Sequence, residues 1–287
     1  MIELTYVLGE DTRRVQAKII ENYNREQDEK LLDQLPTVPY QEKHRHAIED
    51  HQPGTGQWFL RDVRFTSWKN DATPSLLLCQ GIPGAGKTII TALSIEDVLK
   101  ESGNDTYAAY VYCDCQNQKK ETVTVLLWSL LRQLMTPERL IFPFVRNKCL
   151  EIWTIQLDTD SRIKQIVLLI RLLSNLSRKT YLFLDGIDEV TESDPYGKDV
   201  RQRLLAELYG LSDTCRIFVT CRPHICTDHL HHTSRYRTIE IRAANDDISA
   251  YVASSISASK VLKDFVIKDV NLERTIIDIV QKRSNGV

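Results

Sequence analysis

The sequence predicts an α/β fold in which a parallel sheet is covered by helices on both faces. Short segments that are mostly apolar, Leu76 to Cys79, Thr180 to Leu184 and Cys215 to Thr220, alternate with longer segments whose apolar residues recur at helical spacing. A strand without a polar face must be buried on both sides, as strands are in a parallel sheet sandwiched between helices. The segment joining the first of these strands to the next helix is rich in glycine, which marks a turn where a ligand can approach the backbone.

That segment is Gly81-Ile82-Pro83-Gly84-Ala85-Gly86-Lys87-Thr88, and it fits the phosphate-wrapping pattern G-x-x-x-x-G-K-[ST]. Glycines let the loop turn its N–H groups inward around an anion. The helix that follows, about Lys87 to Lys100, is marked by Ile89, Ile90, Leu93 and Val98 and aims its positive end at the same point. In this arrangement Gly81 to Gly86 cradle the phosphates, Lys87 reaches the β- and γ-phosphates, and the Thr88 hydroxyl holds Mg²⁺. The fold expected is therefore a P-loop NTPase three-layer sandwich.

The other elements follow in chain order. Val15, Ile19, Tyr23, Leu31 and Leu35 form an amphipathic pattern that ends near Pro36 and Pro39, read as a helical arm or solvated linker over residues 1–52. The turn residues His51 to Gly56 open a nucleotide-binding domain over 53–235. It begins with one aromatic-rich helix from Trp58 to Trp68, ahead of the strand that carries the loop. Thr106 to Cys115 reads as a strand, with Cys113 and Cys115 on one face and Asp114 on the other. Helices are expected over about 121–135, 144–153, 161–177 and 200–209. Residues 236–287 begin a small helical region: a strand-like Tyr236 to Ile241, Asn245 as an N-cap, then helices including about 261–267 and 271–283.

Two strand ends carry chemistry. Asp185 closes the strand Thr180 to Leu184, at the carboxyl edge where open α/β sheets bind ligands, and can share the metal with Thr88. Asp188 and then Glu189 follow in the adjoining turn as candidates for the base that polarises an attacking water. Arg222 ends the next strand, where a guanidinium can read a γ-phosphate bidentately.

Composition narrows the partners. A net charge of −2 offers no electrostatic case for nucleic acid or an anionic membrane. No apolar run approaches the ~20 residues that span a bilayer, and the first residues do not resemble a secretion signal. Seven cysteines, an odd number set largely in apolar runs, suit reduced thiols in a cytoplasmic protein. Cys221, His224, Cys226, His229, His231 and His232 crowd one segment, but their spacing fits no zinc pattern.

Taken with the turn Gly54 to Leu60, Phe65 and Trp68, these motifs resemble the NACHT class of signal-transduction ATPases with numerous domains (STAND), of the nephrocystin-like type abundant in filamentous fungi. The four marks occur in order: Gly54-Thr55-Gly56-Gln57-Trp58-Phe59-Leu60, the loop Gly81 to Thr88, Leu184 to Glu189, and Thr220-Cys221-Arg222-Pro223. The resemblance implies that the Arg222 strand lies between the loop strand and the Asp185 strand. It implies a switch, closed with diphosphate and open and homo-oligomeric with triphosphate, linked to non-self recognition and cell death. It favours ATP/ADP with Mg²⁺, leaving GTP possible, and a base-side position for Trp58. Family chains usually continue into a winged-helix region and repeats, so a chain stopping at Val287 reads as a fragment whose sensor and effector partners are not in view.

Two other functions use the same loop. A small-molecule or nucleotide kinase needs an acceptor pocket and an Arg-rich lid, and none is visible between Lys87 and Asp185. A scaffold that binds nucleotide without cleaving it is the other alternative, and the intact set Lys87, Thr88, Asp185 and Asp188 argues against a loss of chemistry.

Overall fold

A computed structural model describes residues 24–100, 106–114, 122–135, 143–190, 200–223, 235–269 and 271–284. Five strands, β1 (Leu76–Gln80), β2 (Thr106–Tyr112), β3 (Lys179–Asp185), β4 (Arg216–Cys221) and β5 (Tyr236–Glu240), form one sheet in the order β2-β3-β4-β1-β5. All four pairings are parallel. β4 is inserted between β1 and β3, as the resemblance implied, so the loop after β1 and the acids after β3 flank the end of β4.

Alternation along each strand builds two cores. Leu76 and Leu78, Leu182 and Leu184, and Ile217 and Val219 point to one face. Leu77, Cys79, Tyr181, Phe183 and Phe218 point to the other. The first face is covered by α6 (Val123–Leu134), α7 (Pro143–Thr154), α8 (Thr159–Asn175) and α9 (Val200–Leu211). The second is covered by α3 (Gln57–Leu60), α4 (Val63–Asn70) and α5 (Lys87–Lys100). It is an aromatic layer in which Trp68, fully buried, meets Phe65, Tyr181, Phe183 and Phe218 with ring centroids 5.6–5.9 Å apart. The three pairs with Tyr181, Phe183 and Phe218 are edge-on, which suits the ring quadrupoles, and Phe65 is tilted against Trp68.

Four details differ from the sequence expectation. The aromatic stretch is two short helices, because Asp62 breaks the first and caps the second by accepting the Arg64 N–H at 2.8 Å. β2 ends at Tyr112, so Cys113 and Asp114 lie beyond the strand, and Cys115 lies outside the described residues. The N-cap of α10 (Asn245–Ala258) is Ala244, without a side-chain cap; Asn245 is already helical. The described part of the arm is not a solvated linker, while Val15, Ile19 and Tyr23 lie outside the described residues. Helix α1 (residues 24–34) buries Leu31 and Leu32, and with Leu35 and Val38 they join the first core.

α1 is also tied to α7 by the Asp28–Arg146 ion pair. Helix α2 (Tyr40–Glu49) then crosses to the sheet edge, where the Lys43 ammonium donates to the Tyr112 carbonyl at 3.0 Å. The sheet continues past residue 235 through β5, whose Ile239 belongs to the second core. After it, α10, α11 (Lys260–Lys268) and α12 (Leu272–Ser284) pack around Ile248, Val252 and Ile256. Among the described residues, no helix is long and apolar enough to cross a membrane.

Candidate nucleotide-binding site

The loop after β1 has the backbone of an anion nest. Gly84 and Gly86 sit at φ 81° and 87°, in the left-handed region that favours glycine. Gly81 needs its missing side chain for another reason: a Cβ there would lie 2.9 Å from the Ile241 carbonyl oxygen. α5 starts at Lys87, so its first N–H groups, which have no partner within the helix, open onto the loop. The Lys87 ammonium folds back over the loop and donates to the carbonyls of Gly81 at 2.9 Å and Ile82 at 3.2 Å. A cation resting on loop carbonyls marks the position that a phosphate oxygen would contest.

Thr88 and Asp185, 97 positions apart, meet directly, with the Thr88 hydroxyl donating to Asp185 Oδ2 at 2.7 Å. The carboxylate is only 4% exposed and its other oxygen is saturated from within the protein. Oδ1 accepts the Thr91 hydroxyl at 2.9 Å and the Thr220 hydroxyl at 2.7 Å. Thr220 also accepts the Gly186 N–H at 2.7 Å, which fixes the turn after β3. Thr91 and Thr220 were not assigned roles in the sequence. A signal was present for both: Thr91 is three residues beyond Thr88 on one helix face, and Thr220 lies two before Arg222.

These donors suit a hard divalent cation, since one hydroxyl and one carboxylate oxygen face each other at the mouth of the nest. The end of β2 braces this edge. Tyr112 pairs in register with Asp185, and its hydroxyl meets His44 Nδ1 at 2.7 Å while His44 Nε2 meets Glu96 at 3.2 Å. Burial, with the Asp185 carboxylate adding to it, holds the Tyr112 hydroxyl well above its ordinary pKa.

The turn Ile187–Glu189 is a single 3₁₀ turn entered through Gly186 at φ 68°. It buries Asp188 and leaves Glu189 half-buried. Asp188 faces the end of β4. Its Oδ1 accepts the Arg222 main-chain N–H at 3.1 Å, and its Oδ2 lies 2.9 Å from Arg222 Nε. Arg222 thus comes to the same edge as the loop, paired with Asp188. Cys221, just before it, has its thiol pushed up to about 12 by burial and by the Asp188 carboxylate, which makes it a packed thiol and a poor zinc ligand. The His224–His232 part of that cluster lies outside the described residues.

Beside the nest is a cavity of about 880 Å³. One wall is Gly84 to Gly86 with Ile89 and Ile90, a second is Asp50, Gln52, Thr55, Gly56 and Trp58, and a third is Asp247, Tyr251 and Ser255 of α10 with Ile276 and Val280 of α12. Gly56, at φ 74°, donates its N–H to Asp247 at 2.9 Å, so the turn before α3 is joined to the helical region across the cavity. Asp247 had no signal in the sequence, where it reads as one more acid in a helical first turn.

A family model described as Nephrocystin 3, N-terminal matches residues 54–222, more than half of the chain. The chain belongs to this family. The matched span begins at the Gly54 turn and ends at Arg222, and so encloses the site elements described here except the residues before Gly54 and those after Arg222, among them Ile241, α10 and α12. The chain is also 26% identical, over 208 residues, to the vegetative incompatibility protein HET-E-1 of Podospora anserina. That alignment takes in 68% of this chain and 14% of the relative, so this chain spans a small part of that protein's length. Together these identify a NACHT-type, STAND P-loop NTPase-like protein.

Among solved structures, a DNA replication initiation factor is 12% identical and covers 83% of this chain and 65% of its own, with a TM-score of 0.41. Cdc6p from Pyrobaculum aerophilum is 14% identical and covers 73% of this chain and 51% of its own, with a TM-score of 0.43. At this distance neither bears on function or partners.

Proposed function

We propose that this chain is a nucleotide switch that binds Mg²⁺-ATP, with GTP as the alternative base, and hydrolyses it slowly. The observation that carries this reading is the convergence of the Gly84–Gly86 nest, the Lys87 ammonium and the Thr88–Asp185 pair on one mouth beside a cavity of base-and-ribose size. The N–H groups of the nest and Lys87 hold the phosphates, and Thr88 and Asp185 hold the metal. Bound there, Mg²⁺ neutralises charge on the phosphates. Arg222 contacts the terminal phosphate, and the acids Asp188 and Glu189 supply the group that orients water. Trp58 lies in the wall expected to meet the base.

The cavity is lined on one side by α10 and α12, so a ligand in it touches both the sheet unit and the helical region. We place the boundary between the two near Ile241, after β5, with residues 24–52 of the N-terminal arm packed on the sheet unit. A ligand with differential contacts to two arrangements of these parts shifts their balance. Homo-oligomerisation in the triphosphate state and a role in non-self recognition or cell death follow from the NACHT reading, the latter in keeping with the relative's name. A cytoplasmic site of action fits five buried free cysteines.

The test is to release and analyse the nucleotide carried by the purified protein, and then to add ATP or ADP with light scattering. Bound adenine or guanine nucleotide, with growth in mass only on triphosphate, is expected. Absence of binding to either nucleotide would contradict the reading.

A further inference from the structure

Asp188 has been considered as a base, yet its surroundings suit a different task. Its side chain is 3% exposed, and both carboxylate oxygens are engaged by a single residue, Arg222. The Arg222 main-chain N–H fixes one oxygen and Nε meets the other. The Arg222 side chain is nevertheless 44% exposed, and among the described residues its two terminal amino groups have no partner. Asp188 therefore grips the inner end of the guanidinium and leaves the outer end open, at the strand edge that carries the glycine loop.

We infer that Asp188 is a positioning residue, which holds Arg222 so that its terminal amino groups are presented to the γ-phosphate and thereby sets the preference for triphosphate over diphosphate. The inference rests on the nucleotide-switch reading. A long side chain that is free in solution loses rotamer freedom when it binds, and a buried carboxylate that has already oriented it removes much of that cost. A charged donor fixed in this way also keeps its planar fork aligned for two oxygens of one phosphate. A diphosphate presents nothing to that fork, so the gain is confined to triphosphate.

The sign of the effect is what tests this. Removing a negative charge near the site should, by Coulomb's law alone, help the more highly charged triphosphate. Positioning predicts the reverse. Mg²⁺-ATP and Mg²⁺-ADP titrations should be compared for the native protein, Asp188→Asn, Arg222→Ala and the double variant. Asp188→Asn should lower ATP affinity about tenfold with ADP affinity within about twofold, Arg222→Ala should do the same, and the double variant should lose no more than either alone.

Should Asp188→Asn not fold, Asp188→Ser keeps an acceptor for the Arg222 N–H without the charge. An ATP:ADP ratio that is unchanged or raised in the Asp188 variants, or losses that add in the double variant, would overturn the inference while leaving nucleotide binding intact. A native protein that binds neither nucleotide would overturn the switch reading, and the inference with it.

Discussion

Arg222 holds both oxygens of the Asp188 carboxylate, its main-chain N–H at 3.1 Å from Oδ1 and its Nε at 2.9 Å from Oδ2. The two acids of the turn after β3 are therefore not equivalent. Asp188 is committed to the end of β4, and Glu189, next along and half-buried, is proposed here as the acid that orients a water. We expect Glu189→Gln to keep the native ATP:ADP affinity ratio and to slow turnover by about a hundredfold or more, as loss of a general base does. Phosphate release measured beside the two titrations checks this. Native turnover in Glu189→Gln would return the base role to Asp188.

Thr220 is expected to matter more than an exposed threonine. Its hydroxyl donates to Asp185 and accepts from the Gly186 N–H in a buried setting. Thr220→Val keeps the shape but orphans that N–H, at a cost of about 1–3 kcal/mol. The melting temperature should fall by several degrees and Mg²⁺ should enhance nucleotide binding less, with Thr220→Ser restoring both. Unchanged melting in Thr220→Val would mean that water replaces the hydroxyl.

The arm gives a separate test of packing. Leu35 is 2% exposed and lies in the first core, so Leu35→Ala should cost about 2–5 kcal/mol. A solvated linker would lose no more than about 0.5 kcal/mol. Denaturant melts of the two proteins separate these outcomes.

The sequence exposed those features whose signal is local. β1, β3 and β4 are apolar along their central residues because both faces are buried there, and the loop needs Gly84 and Gly86 where φ is positive. Features that depend on distant pairing were less readable. Nothing in the run from Arg216 to Cys221 says that it inserts between β1 and β3; that order came from the resemblance alone. The burial of Leu31 and Leu35 depends on the first core, whose helices begin with α6 more than 80 residues away. The Gly56–Asp247 bond joins residues 191 positions apart, so Asp247 could not be told from its neighbour Asp246. Asn245 was expected to cap α10 on propensity, but the chain enters the helix one residue earlier, at Ala244.

We propose above all that the Gly81–Thr88 loop binds nucleotide phosphates through Lys87. The most direct test is calorimetric titration of the native protein and Lys87→Ala with Mg²⁺-ATP. Among the described residues the Lys87 ammonium donates hydrogen bonds only to loop carbonyls, at 2.9 and 3.2 Å, so its removal should leave the fold and melting temperature nearly unchanged. We expect saturable one-to-one binding by the native protein and a loss of about a hundredfold or more in Lys87→Ala, the scale of a charge-assisted contact to phosphate at the upper end of its range. Equal affinity of the two folded proteins for Mg²⁺-ATP would contradict the account.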